Sequence, residues 1–361
     1  MNYNEIRRRT RAVRLGNKTI GGDAPILVQS MTNTDTHDIA ATLAQVRSLA
    51  AAGCDVVRLT APDTDAAKTF YALKEAGVTV PLVADIHFDY RVAIECAESG
   101  ADKIRINPGN IGDKERVRAV VSACRARNIP IRIGVNGGSL EKHILEKHGK
   151  PDAAALVESA LYHAKLLEEF DFDDIVLSVK SSDVGTMIAA NRALAKSTPY
   201  PLHLGVTEAG GAAMGTVKSA IGIGALLAEG IGDTIRVSLT ADPVEEIGAA
   251  RRILSALAIE GQSGLRVVSC PTCGRTKIDL IRLSEQFEVA ARREGLWDFP
   301  VSVALMGCAV NGPGEAREAD IGICGGEGEG LLIKKGQIVG KVPQEKIVET
   351  LISELKQMQK T

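Results

Sequence analysis

Apolar and polar positions give the chain two textures. From residue 25 to 239, short apolar runs alternate with longer Ala-, Leu- and Glu-rich stretches at helical spacing. The runs at 25–31, 55–60, 81–86, 103–107, 130–135, 174–180, 202–206 and 233–239 predict strands. Stretches such as 39–52, 65–76 and 187–195 predict the helices between them. Eight strand–helix units in about 250 residues predict an α/β fold of the (β/α)8 TIM-barrel type. A doubly wound open sheet competes, but no Gly-x-Gly-x-x-Gly turn follows the first strand. Residues 11–21 alternate about Gly16-Asn17 and predict a small hairpin. The connection 138–170 is longer than the others and carries the charged stretch 141–150.

Past residue 259 the texture changes. Glu-Gly-Gln-Ser-Gly at 260–264 reads as a linker, which assigns the barrel to 1–259 and a small α+β unit to 265–361. That unit predicts strands at 265–269, 300–305 and 319–323, a helix at 278–294, a hairpin about 334–337 and a terminal helix at 344–356.

Composition narrows the function. A chain of 361 residues suits two cores rather than one. A formal net charge of −2 gives no global field for nucleic acid or anionic lipid, so an anion site must be built locally. Aromatics at 3% leave little for base stacking. No apolar run approaches a membrane span, and the charged start lacks a signal-type apolar core. The expectation is a cytoplasmic protein that engages neither nucleic acid nor membrane.

Charge enters where parallel strands are normally apolar. Such strands are covered on both faces and usually read as continuous hydrophobic runs. Here their C-terminal ends carry Arg58, Asp85 and His87, Arg105 and Asn107, Arg132 and Asn136, Lys180, Thr207 and Glu208, and Arg236 and Ser238. Side chains alternate faces, so Arg105 shares a face with Asn107 and Arg236 with Ser238, while the intervening Ile and Val face the helices. The polar set therefore points into the upper barrel, where barrel active sites assemble. Five cations there need anions, and Asp85 and Glu208 offset only part of the charge. The excess predicts a polyanionic ligand such as two phosphates, which guanidinium forks match.

Seven cysteines and no secretory signal argue against a disulfide framework. Cys54, Cys96, Cys124 and Cys324 sit in apolar elements and read as core. Cys270-Pro-Thr-Cys273-Gly and Gly307-Cys308 lie in turn-like sequence, and Asn311-Gly-Pro-Gly forces another turn before Glu315. Two thiolate-bearing turns can close on one metal centre. An iron–sulfur cluster, zinc and a thiol redox pair all remain open on spacing alone. Three cysteines without a fourth in a matching turn disfavour the closed four-ligand zinc site, and a Cys3Glu set with Glu315 suits a 4Fe–4S cluster with one exchangeable iron.

Val268-Ser-Cys-Pro-Thr-Cys-Gly-Arg-Thr276 and Met306-Gly-Cys-Ala-Val-Asn-Gly-Pro-Gly-Glu315 closely resemble motifs of the 4-hydroxy-3-methylbut-2-enyl diphosphate synthase family. Val28-Gln-Ser-Met-Thr-Asn-Thr34, Ala84-Asp-Ile-His-Phe88, Lys103-Ile-Arg-Ile-Asn-Pro-Gly-Asn110, Gly134-Val-Asn-Gly-Gly-Ser-Leu140 and Val206-Thr-Glu-Ala-Gly210 extend the resemblance along the chain. No domain is inserted between barrel and terminal unit, as in the shorter bacterial form. The resemblance implies reductive ring opening of 2-C-methyl-D-erythritol 2,4-cyclodiphosphate, with reduced flavodoxin or ferredoxin as donor. It implies one 4Fe–4S cluster per chain on Cys270, Cys273, Cys308 and Glu315. It implies diphosphate contacts from Arg58, Arg105, Arg132, Lys180, Arg236 and Ser238, with Asp85, His87, Asn107, Asn136, Thr207 and Glu208 nearby. Glu208, then His87, are the expected proton-handling groups, and Glu315 the ligand that yields to substrate. It also implies a homodimer in which one subunit's cluster unit caps its partner's barrel. Two other functions compete: a barrel enzyme of dihydropteroate synthase type with a structural zinc unit, and a non-enzymatic iron or redox sensor.

Overall fold

A computed structural model describes residues 3–259, 264–297 and 299–360, so most of the predicted linker lies outside the described residues. The chain divides into two compact units, Met1–Ile259 and Glu260–Thr361.

The first unit opens with a hairpin, β1 (Val13–Leu15) and β2 (Lys18–Ile20). Six strands of the parallel sheet follow: β3 (Leu27–Met31), β4 (Val56–Thr60), β5 (Leu82–Asp85), β6 (Lys103–Ile106), β7 (Ile131–Asn136) and β8 (Ile175–Lys180). Two short strands complete it, β9 (His203–Leu204) and β10 (Thr234–Ile235). The order β8-β7-β6-β5-β4-β3-β10-β9 closes through a parallel bridge between Leu177 and Leu202. Helices between the strands start on aspartates: Asp38, Asp89, Asp113, Asp152, Asp183 and Asp242 each accept a backbone N–H of the first turn. These carboxylates serve helix starts, and Asp89 and Asp113 also pair with arginines of their own first turns.

The alternation places two sets of residues on opposite faces. Val57, Leu59, Ile104, Ile106, Ile133, Leu177 and Val179 pack outward in the helix-covered core. Val13, Leu15 and Ile20 of the hairpin instead cluster with Leu27, Val56, Val83 and Val176, the inward residues at the strands' N-terminal ends. The hairpin is thus an apolar plug across the bottom of the barrel.

β9 and β10 are shorter than the predicted 202–206 and 233–239. Arg236 N–H still donates to Leu204 O, but the next donors leave the ladder: Thr207 N–H reaches Ser181 O and Leu239 N–H reaches the Glu246 carboxylate. Gly205 permits the close approach there, since a Cβ would lie 2.7 Å from Arg236 O. The segment 3–11 supports this weak seam. Arg7 pairs with buried Asp233 at 3.0 Å, Tyr3 hydroxyl donates to Gly232 O, and Arg8 binds the carbonyls of Thr198 and Tyr200.

In the second unit, β11 (Arg266–Ser269), β12 (Ser302–Met306) and β13 (Ile321–Gly325) run parallel. β14 (Glu329–Lys334) and β15 (Gln337–Pro343) continue the sheet antiparallel. Lys335 and Gly336 adopt positive φ and make the tight turn the sequence predicts. Helices Leu280–Arg293 and Ile347–Gln359 pack through Leu283, Phe287, Leu351 and Leu355 into one core with Val303 and Ile321.

Candidate active site

The upper barrel encloses a polar cavity of about 200 Å³, lined by Arg58, His87, Arg105, Arg132, Gly134, Asn136, Ser178, Lys180, Thr207, Arg236 and Ser238. All five cations expected at the strand ends meet there. Their pairing explains how they coexist. Asp85, 1% exposed, receives Arg58 Nη2 at 2.6 Å and Arg105 Nη1 at 3.1 Å. Burial alone would raise the Asp85 carboxyl, but the two guanidinium groups outweigh it and hold it well below the usual carboxylate range.

The second neutralising carboxylate is Glu246, not Glu208. Glu246 projects from helix Pro243–Ala256 and is 3% exposed. It accepts from Arg236 Nε and Nη2 at 3.3 Å, Ser30 Oγ at 2.8 Å and Leu239 N–H at 3.1 Å. Glu208 is exposed, with a left-handed backbone (φ 52) uncommon for a residue other than glycine. Arg132 and Lys180 have no carboxylate partner among the described residues. Burial lowers the pKa of both, and the neighbouring guanidinium groups lower it further. A site with this residual charge is prepared for an anion.

Asn107 and Asn136 have a different local role from the cations. Asn107 donates to Ser139 Oγ at 2.8 Å and accepts from Gly109 N–H. Ser139 donates to Asn136 Oδ1 at 3.0 Å, so the three side chains tie together the loops after β6 and β7. Glu141 and buried His163 hold the same loops from behind. Their hydrogen bond outweighs burial and brings the Glu141 carboxyl down to about 2. His87 is exposed, with Nε2 3.8 Å from Asp85.

Beneath the cavity lies a layer not anticipated from the sequence as functional. Lys103 and His203 are fully buried and Gln29 nearly so, all on inward positions of their strands. Lys103 follows the same alternation as Arg105 and Asn107, the one signal that could have marked it. His203 Nδ1 lies 2.7 Å from Thr234 Oγ1. Burial, then Arg132 and Lys180, hold its imidazole well below the usual histidine range.

In the second unit, topology brings the thiols together. Cys270 follows β11 and Cys308 follows β12, at the C-terminal ends of neighbouring parallel strands. Gly307 N–H donates to Cys270 Sγ at 3.2 Å, and Lys277 N–H to Gly307 O at 2.8 Å, locking the two turns to each other. A Cβ on Gly307 would lie 2.8 Å from Thr276 Cγ2, so the contact requires glycine. Cys273 is exposed, and the Arg275 backbone N–H, then the Arg275 side chain, lower its thiol. The N–H groups of Asn311 and Val310 lower Cys308 likewise. Glu315 ends the one-turn helix Gly312–Glu315 and is exposed. Cys324 is buried beside the pair, its thiol pushed up to about 12 by burial and then by Cys308. Among the described residues, no three His, Cys, Asp or Glu side chains converge closely enough for a single metal ion. Donors on two separate turns can instead meet different corners of a polynuclear cluster.

Fold and site together define a two-unit barrel protein with a cation-lined mouth and a separate unit bearing three thiols on its turns. The chain belongs to the GcpE family: residues 10–251 match the GcpE TIM-barrel domain and 266–357 the GcpE protein C-terminal domain. Among its curated relatives is the 4-hydroxy-3-methylbut-2-en-1-yl diphosphate synthase (flavodoxin) of Clostridium perfringens, 58% identical and covering 96% of this chain and 98% of the relative. The proteins of the same name from Ruminiclostridium cellulolyticum and Geobacillus kaustophilus are 56% and 55% identical, covering 98% and 97% of this chain and 98% and 92% of their own lengths. Solved barrels align as well. Type I 3-dehydroquinate dehydratase from Clostridium difficile is 14% identical (TM-score 0.51), covering 69% of this chain and 98% of that one. Dihydropteroate synthase from Thermus thermophilus is 16% identical (TM-score 0.50), with 69% and 98% coverage. These two likenesses show the barrel fold alone.

Proposed function

We propose that the chain carries out the reaction its relatives are named for. 2-C-Methyl-D-erythritol 2,4-cyclodiphosphate is reductively opened and dehydrated to (E)-4-hydroxy-3-methylbut-2-enyl diphosphate, a step of non-mevalonate isoprenoid biosynthesis. Two electrons and two protons enter, one water leaves, and a ring C–O bond becomes a terminal phosphate oxygen. The observation that carries the reading is the mouth itself: cations at the ends of five of the eight strands against two buried carboxylates, in a member of this family.

Arg58, Arg105, Arg132, Lys180 and Arg236 clamp the diphosphate, with Ser238 and Thr207 as hydroxyl contacts. As negative charge develops on the leaving phosphate, these fixed cations stabilise it without reorganising. Asp85 sets the two guanidinium forks it binds, and Asn107 and Asn136 fix the loops that shape the rim. Glu208 carries an exposed carboxylate beside Thr207 and is the foremost proton-handling group, His87 the second.

Cys270, Cys273, Cys308 and Glu315 would hold a 4Fe–4S cluster, which when bound supplies electrons singly and a Lewis-acidic iron. The lowered Cys273 and Cys308 thiols favour the thiolate form that such ligation needs. Glu315, the hard donor on a short exposed helix, would be the exchangeable ligand of such a cluster. Reduced flavodoxin is the donor, in keeping with the relatives' names. The anion site and the thiols lie on separate units, and a homodimer, with one copy's cluster unit over the other's barrel, brings them together.

Anaerobic incubation of iron-loaded protein with reduced flavodoxin and the cyclodiphosphate should give the hydroxymethylbutenyl diphosphate. The protein should be brown, with about four irons per chain. A colourless, zinc-loaded protein, or an iron-loaded one that yields no product, overturns the reading.

A further inference from the structure

We propose that Lys103 is a proton-accepting group buried beneath the barrel mouth: uncharged in the free protein, it takes up a proton when a diphosphate fills the cavity above it. This deepens the diphosphate reading of the mouth and rests on it.

The surroundings of Lys103 leave an ammonium group without a counter-charge. Its side chain has no solvent exposure, and Nζ has no hydrogen-bond partner among the described residues. Below it the inward side chains of the hairpin plug, Val13, Leu15 and Ile20, are apolar and buried, so neither water nor anion reaches it from that side. Across the β5 ladder its neighbour is Val83. The nearest carboxylate on that strand, Asp85, already has one oxygen taken by Arg58 and the other by Arg105. From β3 comes uncharged Gln29, whose amide oxygen and nitrogen are also unpartnered. Arg132 enters from β7 and Lys180 from β8, and neither brings negative charge. From β9 comes His203, held neutral, and from β10 Arg236, whose charge Glu246 meets from behind.

Every charged group facing Lys103 is thus either a cation or a carboxylate already bound to one. Burial, and then Arg132 and Arg58, push its pKa well below the ordinary lysine range. A diphosphate reverses the balance, because it brings negative charge into the same low-dielectric space. The arginines stay protonated throughout and cannot adjust. Lys180 is partly exposed at the rim and has water as an alternative partner, whereas Lys103 has none. The floor lysine is therefore the group whose protonation follows the ligand.

Calorimetric titration tests this with iron-loaded protein, no reductant and the cyclodiphosphate itself. Its two diester-type phosphates carry no proton at neutral pH, so protons counted belong to the protein. Repeating the titration near pH 7.5 in buffers of different ionisation enthalpy should show about one proton taken up per ligand bound. Wild-type affinity should then weaken by up to about tenfold per pH unit above neutrality. Lys103→Met should bind about 10- to 100-fold more weakly, with uptake near zero. Lys180→Met and His203→Gln should keep the uptake. Wild-type binding without proton uptake overturns the inference while leaving the diphosphate reading intact, and it needs no variant to fold. Full uptake by Lys103→Met, or its loss in Lys180→Met or His203→Gln alone, also overturns it. If the cyclodiphosphate does not bind at all, the substrate reading fails and this inference falls with it.

Discussion

Replacing Glu246 by Gln keeps the shape of the side chain and removes its charge. Glu246 is 3% exposed, and its Arg236 partner has a side chain 16% exposed, so solvent screens the pair little. At 3.3 Å and an effective dielectric near 20, two unit charges attract by about 5 kcal/mol. Removing one member of such a pair typically costs about 3–5 kcal/mol, because the other stays buried and uncompensated. Glutamine retains one acceptor for Ser30 or Leu239 but turns an NH2 group towards other donors. The net expectation is a loss of about 3 kcal/mol in the free protein, or about 6–12 °C in melting temperature for a unit of this size. A bound diphosphate supplies the missing negative charge beside Arg236. The stabilisation that saturating cyclodiphosphate confers should therefore be larger in Glu246→Gln than in the wild type. Differential scanning calorimetry of both proteins, free and liganded, measures the four melting points. If Glu246→Gln melts with the wild type, or if ligand raises both equally, Glu246 does not hold Arg236 for the anion.

The other expectations follow from single contacts. Asp85→Asn strands Arg58 and Arg105 and should cost about 3–5 kcal/mol at pH 7. Because the Asp85 carboxyl is held below its unfolded value, its contribution is complete above about pH 5 and fades as pH falls below about 4. Urea midpoints of wild type and Asp85→Asn should therefore converge in acid, and a constant gap would sink that account. Lys103 has the opposite sign. Below about pH 10 the unfolded chain holds a proton that the folded one lacks, so this lysine burdens the folded state. Substrate-free Lys103→Met should melt above the wild type at pH 7, with the difference shrinking towards pH 10; a lower melting point at both pH values would refute it. Glu315→Ala should keep its iron, judged by content and visible absorbance, and lose over about 90% of turnover; unchanged turnover would refute the replaceable-ligand role.

Which parts of this were legible in the sequence has physical reasons. The barrel could be read because strand and helix periods differ and eight changes of period leave few topologies. The mouth could be read because a charge at every second position of an otherwise apolar strand has only one place to point. The same rule covers Lys103, but lysine at the start of a strand reads as a solvated end until the hairpin is seen to seal it. Glu246 gave no signal. It sits in the acidic first turn of its helix, where carboxylates commonly favour the dipole, and only the tertiary crossing over β3 aims it at Arg236. Glu208 was weighed as a neutralising charge because it adjoins a strand end, but its left-handed backbone leaves it exposed. Asn107 illustrates a residue type that fits two roles, since an Asn before Pro-Gly suits a turn as well as a ligand.

The segment 3–11 and the plug hairpin have a temporal consequence. Tyr3, Arg7, Arg8, Val13 and Ile20 leave the ribosome early, yet their partners include Val176, Tyr200, Gly232 and Asp233. At ordinary elongation rates the hairpin waits about ten to thirty seconds for Val176, and the segment before it longer still for β10. Through that interval the apolar ribbon has only Leu27, Val56 and Val83 of its native partners to cover it. The closing seam, whose two strands are the shortest of the barrel, cannot be secured until both ends of the barrel sequence are available. Synthesis of this barrel therefore has one late, all-or-none moment of closure, and the nascent chain is most exposed to misassembly and to chaperone capture just before it.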